Sequence, residues 1–435
     1  MSVNRRKFIN KSMRKYIDNF SWLFAEKVFR LSIGFFVNIW MARYLGPESF
    51  GILIFAQSII GILIAFVTLG LGPILTRDLI LNKYSTDSIF GTSFVMQIIS
   101  SFIIISTTAL FVYYGERSIE CIIVLIISFS YIFQIMSMLD SYFQSKSLNK
   151  YVAVSNMLAF LLSSLVKVLL IMNQFDLIYF AYIAIFESFI LAVMYVYFYL
   201  KYESIQSWKY DIQIAKDLLH DSWPLMPHKI SMVIIANIDM IMISKMMDNH
   251  FVGIYAMAYK IYLILIFLAS IVTKVLFPAL INKDEDEELI NIRFIKFYRL
   301  MGIISISLIL IYYFIGRDIL LFAFGEQYSQ SILVLNILII SVFFSFLNSV
   351  CDQWYVVSNY TKSFLFRTVI GAIINIVLNI YFIDEFGIYG AAYATVITML
   401  YIAYFSNFIN KNSLKNIYLI NQAFFGFLTN KSSTK

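Results

Sequence analysis

Charge is what this sequence has least of. Only 14% of its 435 residues are Asp, Glu, Lys or Arg, where soluble globular chains carry about 25%. A water-soluble chain of this length needs charge to cover its surface, so soluble enzymes and nucleic-acid binders are excluded despite a net charge of +7. Cysteine is almost missing: Cys121 and Cys351 form no CxxC pair and no zinc spacing. The three histidines, His220, His228 and His250, make no HxxxH or HExxH pattern, so no metal site is expected. There is no GxxxxGK[ST] phosphate loop, which argues against ATP hydrolysis within the chain, and no paired carboxylates or Ser/His/Asp set stands out. Gly70-Leu71-Gly72-Pro73 begins like a dinucleotide fingerprint, but its sixth position is Leu75 and the run is apolar. It reads as a kink or a helix-packing site. No catalytic residue and no cofactor is implied.

What remains is apolar: 60% of the residues are hydrophobic and 18% aromatic. A membrane-spanning helix needs about 20 mostly apolar residues. Such runs fall at 20–43, 51–76, 90–114, 119–141, 151–172, 176–200, 222–245, 252–281, 296–316, 330–351, 363–383 and 387–409. The fold class expected is therefore an all-α integral membrane protein with about twelve transmembrane helices. The basic start (Arg5, Arg6, Lys7, Lys11, Arg14, Lys15) precedes a long stretch containing Glu26, Lys27 and Arg30 with no small-residue cleavage site. It reads as a retained first span rather than a signal peptide. Connections are short; the longest are 201–221 and the acidic run from Lys283 to Glu288. The tail 410–435 is basic and is expected to open with an amphipathic helix on the membrane.

Basic residues fix the orientation. On one side lie 23 of the 33, including the six at the N-terminus, Arg77, Lys83, Lys146, Lys150, Lys362 and Arg367. The other side has only Arg43, Arg117, Lys245 and Arg317. Both termini are expected to be cytoplasmic.

The two halves resemble one another. Phe20-Ser21-Trp22 matches Asp221-Ser222-Trp223, and Phe50-Gly51-Ile52 matches Val252-Gly253-Ile254. Asp140-Ser141-Tyr142-Phe143 matches Asp352-Gln353-Trp354-Tyr355, and Lys150 matches Lys362. Six spans per half give both halves the same orientation, related by a pseudo-two-fold axis along the membrane normal. The expected organisation is a six-helix lobe over 1–200, a linker over 201–221, a second six-helix lobe over 222–409 and the tail. Such lobes enclose a cavity that opens to either face.

Six basic residues lie within spans: Lys27, Arg30, Lys167, Lys229, Lys260 and Lys274. Each costs about 2.5–3.5 kcal/mol at mid-bilayer, so five facing lipid would cancel the roughly 5–15 kcal/mol that stabilises a domain. They must face water, a partner charge or a ligand. Arg30 shares a helix face with Glu26 (i,i+4) and Lys27 (i,i+3). Lys260 and Lys274 share a face of span eight, and Lys229 lies early in span seven. Two readings stand: neutralisation within the bundle, or a cationic cavity for an anionic substrate bound by Arg30, Lys260 and Lys274 with Lys27 and Lys229 assisting. Three carboxylates, Glu26, Glu187 and Asp239, also lie in spans. They are candidates for H⁺ or Na⁺ coupling, or for salt bridges; Lys167 and Glu187 form one candidate pair. Asp140 and Asp352, at equivalent span ends, are expected to cap or gate. The methionine-rich spans seven and eight read as irregular packing.

Ala42-Arg43-Tyr44-Leu45-Gly46-Pro47-Glu48-Ser49-Phe50-Gly51 resembles the ARYLGPxxFG signature of Wzx-type polysaccharide flippases, in the multidrug/oligosaccharidyl-lipid/polysaccharide exporter superfamily. Gly46-Pro47 also reads as a tight turn. The resemblance implies translocation of undecaprenyl-pyrophosphate-linked oligosaccharide from the cytoplasmic to the periplasmic leaflet. It further implies alternating access driven by an ion gradient, in the service of O antigen or another surface glycan. A polysaccharide polymerase and a chain-length regulator are the implied protein partners, alongside membrane lipids and no nucleic acid. A multidrug or other lipid-linked-precursor exporter of the same superfamily, and a membrane polysaccharide polymerase, are the competing readings.

Overall fold

The computed structural model describes residues 2–115, 118–280, 287–316, 324–358 and 360–429. The acidic run as far as Asp286, together with Arg117, Arg317, Lys431 and Lys435, lies outside them. The described residues are helical, with no strand. Backbone polar groups in a bilayer must be satisfied within their own segment, and helices do this.

The first helix, α1, runs Ser2–Val67. At 1.5 Å per residue it is about three times longer than a hydrocarbon core of roughly 30 Å. It therefore holds more than one crossing, and it breaks at Gly46. There φ is +72° and ψ 168°, a conformation open to glycine at little cost. Pro47 then opens the second segment, where its missing N–H has no partner to lose. The turn expected at Gly46-Pro47 is a kink between two helical segments. The second expected span breaks again after Val67, with φ of +50° at Leu69 and +64° at Gly70, and resumes as α2 (Gly72–Ile80). Next come α3 (Thr86–Tyr114), α4 (Ile119–Ser128), α5 (Ser130–Gln134) and α6 (Leu139–Ser145), the last two joined by a 3₁₀ turn. Then follow α7 (Asn149–Met172), α8 (Leu177–Tyr199), α9 (Ile212–Ser222), α10 (Met226–Met246), α11 (Asn249–Leu280) and α12 (Glu287–Ile311). The chain continues through α13 (Ser329–Val357), α14 (Thr361–Phe386), α15 (Ile388–Ala403) and α16 (Leu414–Thr429).

Ten of these stretches are long and apolar enough to cross a membrane, among the described residues. The first, Ser21–Ile80, contains expected spans one and two. The 21-residue α10 carries His228, Lys229, Asp239 and Lys245, which dilute its hydropathy. Counting both brings the total to the twelve expected.

The chain divides into two compact units, Met1–Leu45 with Ile52–Ile230, and Gly46–Gly51 with Ser231–Lys435. In the first, an aromatic and aliphatic core forms around Leu75, Phe90, Leu139, Tyr142, Tyr199 and Leu218. The linker is fastened to it. Trp208 stacks on Phe90 at 5.9 Å, Ser207 donates to Asp87 Oδ1 at 2.7 Å, and Asp211 caps α9 by accepting from the backbone of Gln213 and Ile214. Arg77 joins Asp78 to Asp221, and its hydrogen bond holds the Asp221 carboxyl below the usual carboxylate range.

In the second unit, α13 buries Val334, Leu335, Leu338, Val342 and Phe346. Small residues on α15, including Gly390, Ala391 and Ala394, let neighbouring helices approach. The tail helix α16 is present, but the face expected on the membrane is spent on protein. Ile417, Leu419, Ile420 and Ala423 are buried, and Arg299 Nε donates to the Ala423 carbonyl at 2.8 Å.

Within this unit the repeat-equivalent glycines meet. A β-carbon on Gly51 would lie 1.7 Å from the Asn249 carbonyl oxygen, and one on Gly253 2.0 Å from that of Pro47. Gly253→Ala is therefore expected to destabilise by about 1–3 kcal/mol through overpacking. The thermal midpoint of the purified protein reads this directly; an unchanged midpoint would refute it.

Candidate functional site

In the first unit α1 places Glu26 and Arg30 one turn apart, and they pair at 3.3 Å. Glu26 is buried, while Arg30 is about a third exposed and packs over the Phe160 ring at 5.3 Å. Glu187 on α8 approaches Arg30 to 4.0 Å and accepts a hydrogen bond from Ser163 at 2.8 Å. Lys167, the partner read from sequence, interacts electrostatically with Glu187, although no Lys167–Glu187 ion pair within 4.0 Å is present among the described residues. Arg30 and Ser163 hold that carboxylate, because α1 and α7 both present polar groups there. Glu187 also lines a cavity of about 450 Å³ with Gln57, Ser130 and Gln134. Lys27 is exposed on α1. Lys229 reaches Thr68 Oγ1 at 2.9 Å and so sits away from this group, where α1 ends.

The second unit holds Lys260, Lys274 and Asp239. Both lysines are on α11; Lys260 lies over the Phe50 ring at 5.0 Å and Lys274 is exposed. Asp239, on α10, is 2% exposed. It accepts from Tyr255 at 2.6 Å, Thr395 at 2.7 Å and Asn379 Nδ2 at 2.8 Å. No basic group lies within 4 Å of it among the described residues. Beside it the amide of Asn375 has no hydrogen-bond partner at either its oxygen or its nitrogen, and Asn379 Oδ1 is buried without one. A buried, ionised carboxylate with no countercharge costs several kcal/mol. Three donors relieve part of that cost; a proton or a small cation at the carboxylate would remove the rest. Asn375 and Asn379 stand i,i+4 on α14. That spacing inside an apolar run was the available sequence signal for this centre, and the sequence reading passed over it.

A second buried group was also missed. Arg367, counted above as a marker of the cytoplasmic side, is 1% exposed. Its guanidinium donates to Cys351 Sγ and Asn348 Oδ1, each at 2.7 Å, and pairs with Asp352. The rings of Tyr355 and Phe364 cover it at 4.7 and 5.4 Å. Asp352 is one half of an ion pair rather than a helix cap, and Asp140 accepts from Gln144 at 2.9 Å. Both cysteines are free.

Multiple membrane crossings with charged side chains held inside both units describe a multi-pass integral membrane protein. The polysaccharide biosynthesis protein family model matches residues 16–282, and the chain belongs to that family. The teichuronic acid biosynthesis protein TuaB of Bacillus subtilis (strain 168) is 29% identical over 106 residues, 24% of this chain and 22% of that protein's length. The fold is shared with an inward closed structure of the lipid II flippase MurJ (TM-score 0.69, 16% identity, 93% of this chain and 92% of that one). It is shared too with an inward-facing MATE multidrug transporter of the MOP superfamily (TM-score 0.65, 15% identity, 94% and 96%).

Proposed function

We propose that this protein is a flippase for an undecaprenyl-pyrophosphate-linked oligosaccharide, a repeat unit of O antigen or a related surface glycan. It would work by alternating access in the bacterial inner membrane, with both termini cytoplasmic, loading in the cytoplasmic leaflet and releasing in the periplasmic one. The observation that carries the reading is a transporter fold in a polysaccharide-biosynthesis family that keeps basic side chains within its spans. Glycans assembled on a lipid must cross the membrane, and a pyrophosphate needs Lys or Arg to leave water.

Lys260 and Lys274, with Arg30, are the proposed pyrophosphate ligands; Lys27 and Lys229 assist. Arg30 already serves two carboxylates, so a phosphate must displace one. Glu187, the more distant and the more exposed of the two, is the one that lets go, which gives it a coupling role; Glu26 stays paired. Asp239 is the principal site for H⁺ or Na⁺. A cationic drug fits a basic site poorly, which disfavours the multidrug alternative. A polysaccharide polymerase and a chain-length regulator would take over the product.

Lys274→Ala is expected to lower flipping at least about tenfold, since a charge-assisted hydrogen bond contributes about 1.5–3 kcal/mol. Arg30→Ala should lower it similarly. Complementation of a flippase-null strain, scoring surface glycan against accumulated lipid-linked units, measures both. Full activity in a folded Arg30→Ala/Lys274→Ala variant would refute the assignment.

A further inference from the structure

The two glycines that meet in the second unit do so reciprocally. In the sequence repeat Pro47 corresponds to Asn249, Glu48 to His250 and Gly51 to Gly253. Gly51 lies against the Asn249 carbonyl, and Gly253 against the Pro47 carbonyl. Each half offers the same two positions to the other, the self-complementary pattern of a two-fold contact. The surfaces that meet are main chain, an approach that only small residues allow.

One side of this clasp is fixed. Asp248 caps α11 by accepting from the Phe251 N–H at 3.2 Å, and Ser244 donates to Asn249 Oδ1 at 2.8 Å. The other side is not of one piece. Residues 46–51 belong with the second unit, but the helix that Pro47 opens is unbroken to Val67, and from Ile52 on it belongs to the first unit. Before Gly46, Tyr44 is held in the first unit too. Its hydroxyl donates to the Phe175 carbonyl at 3.0 Å, and its ring lies 6.0 Å from that of Phe180. The clasp therefore grips a short stretch whose neighbours on both sides are anchored elsewhere. A helix is held by a hydrogen bond at every residue, whereas contacts of a glycine CH₂ with a carbonyl are weak. A shift of one unit against the other at this end parts the clasp before it stretches the helix.

Gly46 suits such a movement. Its φ of +72° and ψ of 168° fall in a region kept to glycine, and a β-carbon there would meet no atom within 4 Å. The glycine serves the backbone and not a lack of space, so the helix after it has room to swing.

We infer that the contact of Pro47–Gly51 with Asn249–Gly253 is a gate, closed in this structure, with Gly46 as its joint. It parts when the protein opens to the face that carries Arg43 and Lys245. This rests on the alternating-access reading above, under which that face is periplasmic. Gly51 and Gly253 set how firmly the gate shuts.

The test is a distance measurement on the full-length protein in lipid nanodiscs, by pulsed electron spin resonance between labels on Glu48→Cys and His250→Cys. Both positions are exposed, and they are repeat equivalents. Cys121 is replaced by serine and the buried Cys351 is kept. A short and a long distance are expected. Gly51→Ala and Gly253→Ala should each raise the long population about 5–150-fold relative to the short one, which is 1–3 kcal/mol of overpacking converted at 1.4 kcal/mol per tenfold. The same two cysteines, joined in proteoliposomes by a short bis-thiosulfonate, should stop flipping of undecaprenyl pyrophosphate bearing one N-acetylglucosamine, and a reductant should restore it. Flipping at the original rate in the fully joined protein overturns the gate, as does a single short distance that neither alanine variant lengthens. Should the alanine variants fail to fold, the reversible cross-link on the glycine-bearing chain still decides. If the long population responds to the substitutions but this lipid is not flipped even before cross-linking, the gate stands and the assignment of this lipid as cargo fails.

Discussion

Asp239→Asn is expected to uncouple transport from the ion gradient. The carboxylate is buried, takes three hydrogen bonds and has no positive neighbour within 4 Å among the described residues. Its charge is balanced only when a proton or cation is bound, so occupancy of this site alters the energy of the unit around it. The amide is neutral whatever the gradient. Coupling between two sites is typically worth 1–3 kcal/mol, and its loss should slow gradient-driven flipping by up to about 100-fold. Proteoliposomes loaded with lipid-linked glycan, with Na⁺ and H⁺ gradients imposed one at a time, measure this and identify the ion. If Na⁺ is that ion, adding it at constant pH should raise the thermal midpoint of the wild-type protein and not that of the variant, because only the native site binds it. Gradient-driven flipping at the wild-type rate in Asp239→Asn would remove Asp239 from the mechanism.

Arg367→Ala is expected to have the largest effect on stability. Its guanidinium ties α14 to Cys351, Asn348 and Asp352 on α13. The same polar cluster continues through Asn416 Nδ2, which donates to Cys351 Sγ at 3.0 Å, and Tyr298, which donates to Asn416 Oδ1 at 2.8 Å. Asp352 is about a third exposed and so keeps part of its hydration, but loss of the charge-assisted hydrogen bonds from the buried guanidinium still costs about 1.5–3 kcal/mol, and the space it vacates adds to that. The thermal midpoint of the purified protein should fall by several degrees. Arg367→Lys should fall less, since it keeps the charge but has no planar fork to serve three acceptors at once. Equal midpoints for the wild-type protein and Arg367→Ala would show that the cluster contributes nothing.

The contrast between these two residues shows how much was legible. Asp239 was singled out from sequence because a carboxylate in an apolar run cannot be left facing lipid. Its partners were not found, since Asn379 and Thr395 lie 140 and 156 positions away. The inward turn of Arg367 was not legible, because hydropathy locates a residue along the membrane normal and says nothing of the direction in which its side chain points. Near the end of a span, an arginine that reaches water and one that turns inward have the same sequence signature. Glu187 shows the same limit: charge type offered it Lys167, with which it does interact electrostatically, but packing decided that Arg30 and Ser163 make its closest contacts.

Sequence by itself determined the medium, the helical class, the number of crossings and the family resemblance. Those follow from burial of apolar surface and from the need to satisfy every backbone group in lipid, and both are written in composition and run length. Only the tertiary structure decided which charges are neutralised, which carboxylate stands without a countercharge, and where two breaks in the helices leave a cavity with a polar lining. These depend on side-chain direction and on contacts between residues far apart in the chain, to which hydropathy and local spacing are blind.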